Sequence, residues 1–128
     1  MIIGIGTDIV DIRRIQKLLD RHQEHFIDKI FTNAEQKKAN TRKNPISAYA
    51  KIFAAKEAFI KALGGSYNMQ WHDMEISNNS LGKPLFNISG NGLLVLEKQC
   101  SGQQHSIHLS LSDEPPYAIA YVIIETHT

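Results

Sequence analysis

The sequence has a single cysteine, almost no net charge and no long apolar run. With Cys100 alone, an intramolecular disulfide and a cysteine-based metal cluster are excluded, which leaves an idle thiol in a reducing compartment. The formal net charge is +1, so no global field argues for nucleic acid or a membrane surface, and any electrostatic function must be local. The apolar start, Met1-Ile2-Ile3-Gly4-Ile5-Gly6, is interrupted by Asp8 and Asp11 and lacks a basic flank. It reads as neither a signal peptide nor a membrane span, and the expected location is the cytoplasm. Gly4-Ile5-Gly6 also lacks the third glycine of a dinucleotide fingerprint, and the chain has neither a Walker loop nor a Gly-x-Ser-x-Gly nucleophile elbow. The six histidines, at 22, 25, 72, 105, 108 and 127, give no zinc-binding helix pattern. No repeat, low-complexity tract or linker divides the chain, so residues 1–128 are expected to form one domain.

What the sequence does contain centres on a long helix, expected over about 45–63. Asn44-Pro45 supplies its cap and first residue, and Gly64-Gly65 ends it. Tyr49, Ile52, Phe53, Ile60 and Leu63 share one apolar arc at 3.6 periodicity. Lys56 projects into that arc, Glu57 and Lys61 follow on its shoulder, and Ala50, Ala54, Ala55, Ala58 and Ala62 allow close approach. A carboxylate between two lysines suits a metal ion held beside phosphates. The same residues also read as an ordinary i,i+4 pair, Glu57 with Lys61, worth about 0.2–0.5 kcal/mol, with Lys56 snorkelling out of an interface.

Around that helix, Ile2 to Ile9 reads as a strand with Ile3, Ile5 and Thr7 on one face and Gly4, Gly6 and Asp8 on the other. Asp8 serves either as a turn or cap residue or as a functional carboxylate. A helix follows from about Ile12 to His22, with Ile12, Ile15, Leu18 and Leu19 buried. Arg14, Lys17 and Arg21, with Arg13 nearby, make a basic ridge, which is either a solvated face or a dock for an acidic partner. Phe26 to Phe31 reads as a separate helical turn, and Thr32-Asn33-Ala34-Glu35 is a capping box for a helix to about Thr41. The basic cluster Lys37-Lys38 and Arg42-Lys43 then leads into the long helix. After it come a hairpin (Asp73 to Ser77, Lys83 to Ile88), a helix over about Leu93 to Gln99, and a second hairpin (Ile107 to Ser112, Tyr117 to Glu125). This order predicts an α+β fold, helices packed on an antiparallel sheet.

Two hard oxygen ligands, Asp8 and Glu57, with Lys56, Lys61 and Lys83 as phosphate partners, match the way Mg²⁺ is held by one or two carboxylates plus phosphate oxygens. Such a site does phosphoryl-group chemistry by positioning and charge neutralisation. Gly6-Thr7-Asp8-Ile9-Val10, the run from Phe53 to Gly64, Gly82-Lys83-Pro84, Trp71-x-Asp73-x-Glu75-Ile76 and Ser110-Leu111-Ser112-Asp113, in this order, resemble the holo-[acyl-carrier-protein] synthases of the 4′-phosphopantetheinyl transferase superfamily. The resemblance implies Mg²⁺-dependent transfer of 4′-phosphopantetheine from coenzyme A to a serine of an apo acyl carrier protein, releasing adenosine 3′,5′-bisphosphate.

By the same matching, Asp8 and Glu57 are the metal ligands and, with Lys61, the catalytic set. Lys56, Lys61, Gly64, Lys83 and Pro84 lie against coenzyme A, and Arg14 and Arg21 dock the carrier. The resemblance further implies a homotrimer with sites at subunit interfaces. Asp113 departs from the histidine many relatives carry there, so it is not assigned as the base. A non-catalytic domain that docks an acidic carrier protein is the alternative, and a metal-dependent pyrophosphatase acting on free nucleotides is a third reading.

Overall fold

A computed structural model describes residues 1–128, the side chain of Gln23 apart. Its centre is the helix α3, Pro45–Leu63, whose ends are set by local chemistry. The Asn44 side chain accepts a hydrogen bond from Ser47 N–H at 3.2 Å, and Pro45 opens the helix with no amide to satisfy. Gly64 closes it at φ 86°, a left-handed conformation that costs glycine nothing, and Gly65 N–H returns to the Ile60 carbonyl at 3.1 Å.

Helix α3 lies on a three-stranded antiparallel sheet of β1 (Ile2–Asp11), β4 (Gln104–Glu114) and β5 (Tyr117–His127), in the order β1-β5-β4. Gly4 and Gly6 make this packing close. A Cβ on Gly6 would lie 2.0 Å from the Ala58 carbonyl oxygen, and one on Gly4 would lie 2.1 Å from that of Ala62. Ala118, Ala120, Val122 and Ile124 of β5 complete the buried face. Burying side chains the size of Val122 and Ile124 contributes about 1.5–3 kcal/mol each. The opposite face of the same sheet leaves Ile5, Ile9, Tyr117, Ile119 and Tyr121 exposed. No helix is long and apolar enough to cross a membrane.

The remaining elements cover the far side of α3. Helix α1 spans Ile12–Ile30, α2 spans Asn33–Asn40, and a 3-10 turn at Trp71–Asp73 leads into the separate two-stranded sheet of β2 (Met74–Asn78) and β3 (Pro84–Ile88). Helix α4, Gly90–Gln99, follows. Its N-terminus is capped from outside: the Asp73 carboxylate accepts from Gly92 N–H at 3.1 Å.

Two expectations need correction. The first helix does not stop at His22; it runs to Ile30 and absorbs the turn expected at Phe26 to Phe31. Leu19 and Phe26 stand seven residues apart, two helical turns, so the apolar stripe resumes in phase after the polar segment. Nor does α3 have a single apolar arc. It is buried on two sides, by the sheet and by the other helices, and Phe59, outside the expected arc, is fully buried.

Candidate active site

The glycine-mediated contact between β1 and α3 decides where the charges fall. Two residues beyond Gly6, Asp8 stands on the same strand face, and Lys61 reaches it from α3. The Lys61 ammonium donates to Asp8 Oδ1 and to the Thr7 carbonyl, both at 3.1 Å. Glu57 lies one turn earlier on α3 and is half-buried. Burial raises its carboxyl above the ordinary pKa and the nearby Asp8 charge adds to the rise, while Lys61 and Arg14 draw it down. Lys61 is therefore ion-paired to a carboxylate from another element, and the helix-internal Glu57–Lys61 pair is not among the ion pairs of the described residues.

This arrangement fits a hard cation. Burial first and the neighbouring Asp8 charge second raise Glu57, and a positive ion between the two carboxylates would remove the second of these costs. Among the described residues no group of three His, Cys, Asp or Glu side chains forms a metal cluster. A two-carboxylate donor set leaves coordination positions for water and phosphate oxygens, the arrangement suited to Mg²⁺ rather than to an all-protein cage.

Lys56, expected against coenzyme A phosphate, is elsewhere. Its side chain is fully buried, and the ammonium donates to the Ile30 carbonyl at 2.6 Å, Glu35 Oε1 at 2.7 Å and the Trp71 carbonyl at 3.3 Å. Burial lowers its pKa and Glu35 pulls it back. A lysine with its three donors used inside the protein has none left for a phosphate.

A cleft of about 450 Å³ opens between the end of α2, the first half of α3, the β2–β3 hairpin and the β4–β5 turn. Lys38, Arg42, Ser47, Lys51, Gly82 and Pro84 line it. Pro84, expected against coenzyme A, lines the cleft together with Gly82; Lys83 between them is exposed and is not part of the lining, and neither are Asp8, Glu57, Lys61 and Gly64. On one chain, the carboxylate cluster and the cleft are thus separate.

Lys38, Arg42 and Lys51 were not picked out by sequence reasoning, although the Lys37-Lys38 and Arg42-Lys43 cluster signalled two of them. The Lys38 ammonium is lowered by burial and by Arg42 beside it, so the cleft wall holds two cations that repel each other and gain from an anion. Lys51 instead meets Asp113 at 3.4 Å across the cleft mouth. Arg14 and Arg21 are exposed on α1, whereas Arg13 is tied to Asp11 at 2.7 Å.

The family model for the 4′-phosphopantetheinyl transferase superfamily matches residues 4–122. The chain belongs to this superfamily. Among its members, a protein of Brucella ovis named holo-[acyl-carrier-protein] synthase is 45% identical over 128 residues, covering 98% of this chain and 96% of its own. The crystal structure of holo-[acyl-carrier-protein] synthase from Neisseria meningitidis superposes with a TM-score of 0.86 at 36% identity, covering 98% of this chain and 100% of its own. The Helicobacter pylori synthase, solved in complex with coenzyme A, gives a TM-score of 0.79 at 30% identity, covering 94% and 99%.

Proposed function

We propose that this transferase moves the 4′-phosphopantetheine group of coenzyme A onto a serine hydroxyl of an apo acyl carrier protein. The observation that carries the reading is the meeting of Asp8, Glu57 and Lys61 across β1 and α3 in a chain that matches holo-[acyl-carrier-protein] synthases over nearly its full length. In the reaction, the serine Oγ forms a bond to the β-phosphorus of the coenzyme A pyrophosphate. The bond from that phosphorus to the bridging oxygen breaks, adenosine 3′,5′-bisphosphate leaves, and the serine proton is released.

Asp8 and Glu57 are the residues that would hold Mg²⁺, and the ion would supply charge neutralisation beside the pyrophosphate. Lys61, half-exposed beside Asp8, contributes its positive charge where the leaving bisphosphate gains negative charge. Lys38 and Arg42 hold the nucleotide's phosphates in the cleft, with Gly82 and Pro84 as a wall. Arg14 and Arg21 orient the acidic carrier, acting on encounter more than on chemistry. No covalent enzyme intermediate is needed, in keeping with a sequence that has no nucleophile elbow.

The working unit is a homotrimer. Ile5, Ile9, Ile119 and Tyr121 form an exposed apolar face on the outer side of the sheet, the kind of surface that is covered by another chain. The separation of cleft and carboxylates on one chain suits the same assembly, in which the cleft of one subunit faces Asp8 and Glu57 of the next. The enzyme works in the cytoplasm, in keeping with a lone cysteine that forms no disulfide.

The deciding experiment is intact-mass spectrometry of an apo carrier protein incubated with this chain, coenzyme A and Mg²⁺. Addition of one phosphopantetheine is the expected result. Binding of carrier with no mass change would make the chain a docking domain only, and free phosphopantetheine without carrier modification would make it a pyrophosphatase.

A further inference from the structure

The buried Lys56–Glu35 pair has a reach that neither core stability nor the capping of α2 accounts for. Glu35 opens α2 as part of the capping box, Oε1 accepting from Thr32 N–H at 2.9 Å. The same oxygen takes the Lys56 ammonium of α3 at 2.7 Å. Oε2 accepts from the backbone N–H of Ile76 in β2 at 2.8 Å. Both side chains are fully shielded, and Lys56 also holds the last turn of α1 through Ile30 and the 3-10 turn through Trp71. A buried ion pair is a poor source of stability compared with well-packed apolar side chains, so its presence asks for another reason.

Three of the elements joined here are walls of the cleft. Helix α2 carries Lys38 and the turn after it Arg42, α3 carries Ser47 and Lys51, and β2 supplies Ile76, itself a lining residue. We infer that Lys56 and Glu35 are positioning residues for the nucleotide half of coenzyme A: their directed hydrogen bonds set the spacing of α2, α3 and the β2–β3 hairpin around the cleft. An apolar pair would fill the volume but leave the three walls free to slide, because dispersion contacts lack direction. The inference rests on the assignment of the cleft to coenzyme A.

The test uses the full chain and adenosine 3′,5′-bisphosphate in a calorimetric titration. The double variant Lys56→Met/Glu35→Gln removes both charges together, so neither is stranded in the interior. Its thermal midpoint should fall, because the introduced amide can accept from only one of the Thr32 and Ile76 N–H groups and the Ile30 carbonyl loses its donor, while in the folded protein the Kd for the bisphosphate rises about 10-fold, short of the roughly 100-fold that a 1 Å misplacement can cost. In steady-state transfer, KM for coenzyme A should rise and kcat should hold, a split that general loosening of the fold does not produce.

Arg42→Ala, a direct change in the lining, is the companion variant. If it weakens bisphosphate binding and the folded double variant does not, the positioning role is wrong. If Arg42→Ala leaves affinity unchanged, the cleft is not the nucleotide site and the inference falls with that reading. Should the double variant fail to fold, hydrogen exchange on the unmodified chain decides. The Ile76 amide must slow when the bisphosphate binds, and an unchanged rate overturns the proposal.

Discussion

Replacing Gly6 by alanine tests the contact on which the carboxylate cluster depends. The new methyl would lie 2.0 Å from the Ala58 carbonyl oxygen and 2.8 Å from the Ala62 nitrogen, both backbone atoms that no rotamer change can move. Protein Cβ atoms essentially never come within 3.0 Å of such a neighbour, so β1 and α3 must part locally by about 1.0 Å. Overpacking costs about 1–3 kcal/mol, and a clash of backbone on backbone belongs in the upper half of that range. At about 3–5 °C per kcal/mol for a chain of this size, the thermal midpoint should fall by about 6–15 °C.

Function should fall further than stability. Asp8 is two residues along the displaced strand and Glu57 precedes the clashing Ala58, so the wedge opens the gap between the carboxylates. Misplacement of about 1 Å can cost about 100-fold in rate. The assay is circular dichroism melting beside transfer kinetics at a temperature well below the midpoint. Gly102→Ala serves as comparison: at φ 74° with nothing within 4 Å, its cost is conformational, about 1–2 kcal/mol, and kcat should be unchanged. A Gly6→Ala enzyme with normal kcat would refute the claim that this contact sets the site.

Asp8→Asn and Glu57→Gln should each preserve the circular dichroism spectrum and lower Mg²⁺ affinity by at least the 10–100-fold typical of losing a partner behind a metal ligand; normal turnover of Glu57→Gln at limiting Mg²⁺ would remove Glu57 from the donor set. Arg14→Glu and Arg21→Glu should raise KM for the carrier at low salt and lose that effect as the Debye length shrinks to about 8 Å at physiological ionic strength. An unchanged KM at low salt would return the ridge to a solvated face. Light scattering should give about three times the chain mass of 14.4 kDa, and Ile119→Arg should reduce it; a monomeric, active parent chain would refute the shared site. Cys100 is buried, which raises its thiol above the ordinary 9.0. The native state therefore keeps a proton that the unfolded chain releases, and stability should fall as pH climbs through 9.0, a slope absent in Cys100→Ala.

Features set by neighbouring residues were readable in the sequence. Asn44, Pro45 and Gly64 mark the ends of α3, and Thr32 with Glu35 marks the start of α2, because a cap is made within a few residues of the chain it terminates. Gly4 and Gly6 likewise signalled a strand face open to close approach. Residues whose partners lie far along the chain were harder. Lys61 showed Glu57 as its helix neighbour, while its bond goes to Asp8, 53 positions away. Lys56 looked free for phosphate because nothing local reveals that a capping-box glutamate, 21 positions earlier, turns inward to meet it. Lys38 and Arg42 stood in a visible basic cluster, but their cleft exists only once α2, α3 and the two hairpins come together.

The crowded cations of the cleft wall also bear on how the enzyme lets go. Under the proposed assignment of the cleft, coenzyme A presents a 5′ pyrophosphate whose negative charge is spread over two phosphate groups, whereas adenosine 3′,5′-bisphosphate concentrates about the same charge on one terminal phosphate. Lys38 and Arg42, whose mutual repulsion any anion relieves, would then hold the product's concentrated charge more firmly than the substrate's diffuse one. Turnover at low ionic strength should then be limited by departure of the nucleotide, and moderate salt, while weakening carrier docking, should speed product exit. The best rate is then expected at the ionic strength where these two opposing effects cross.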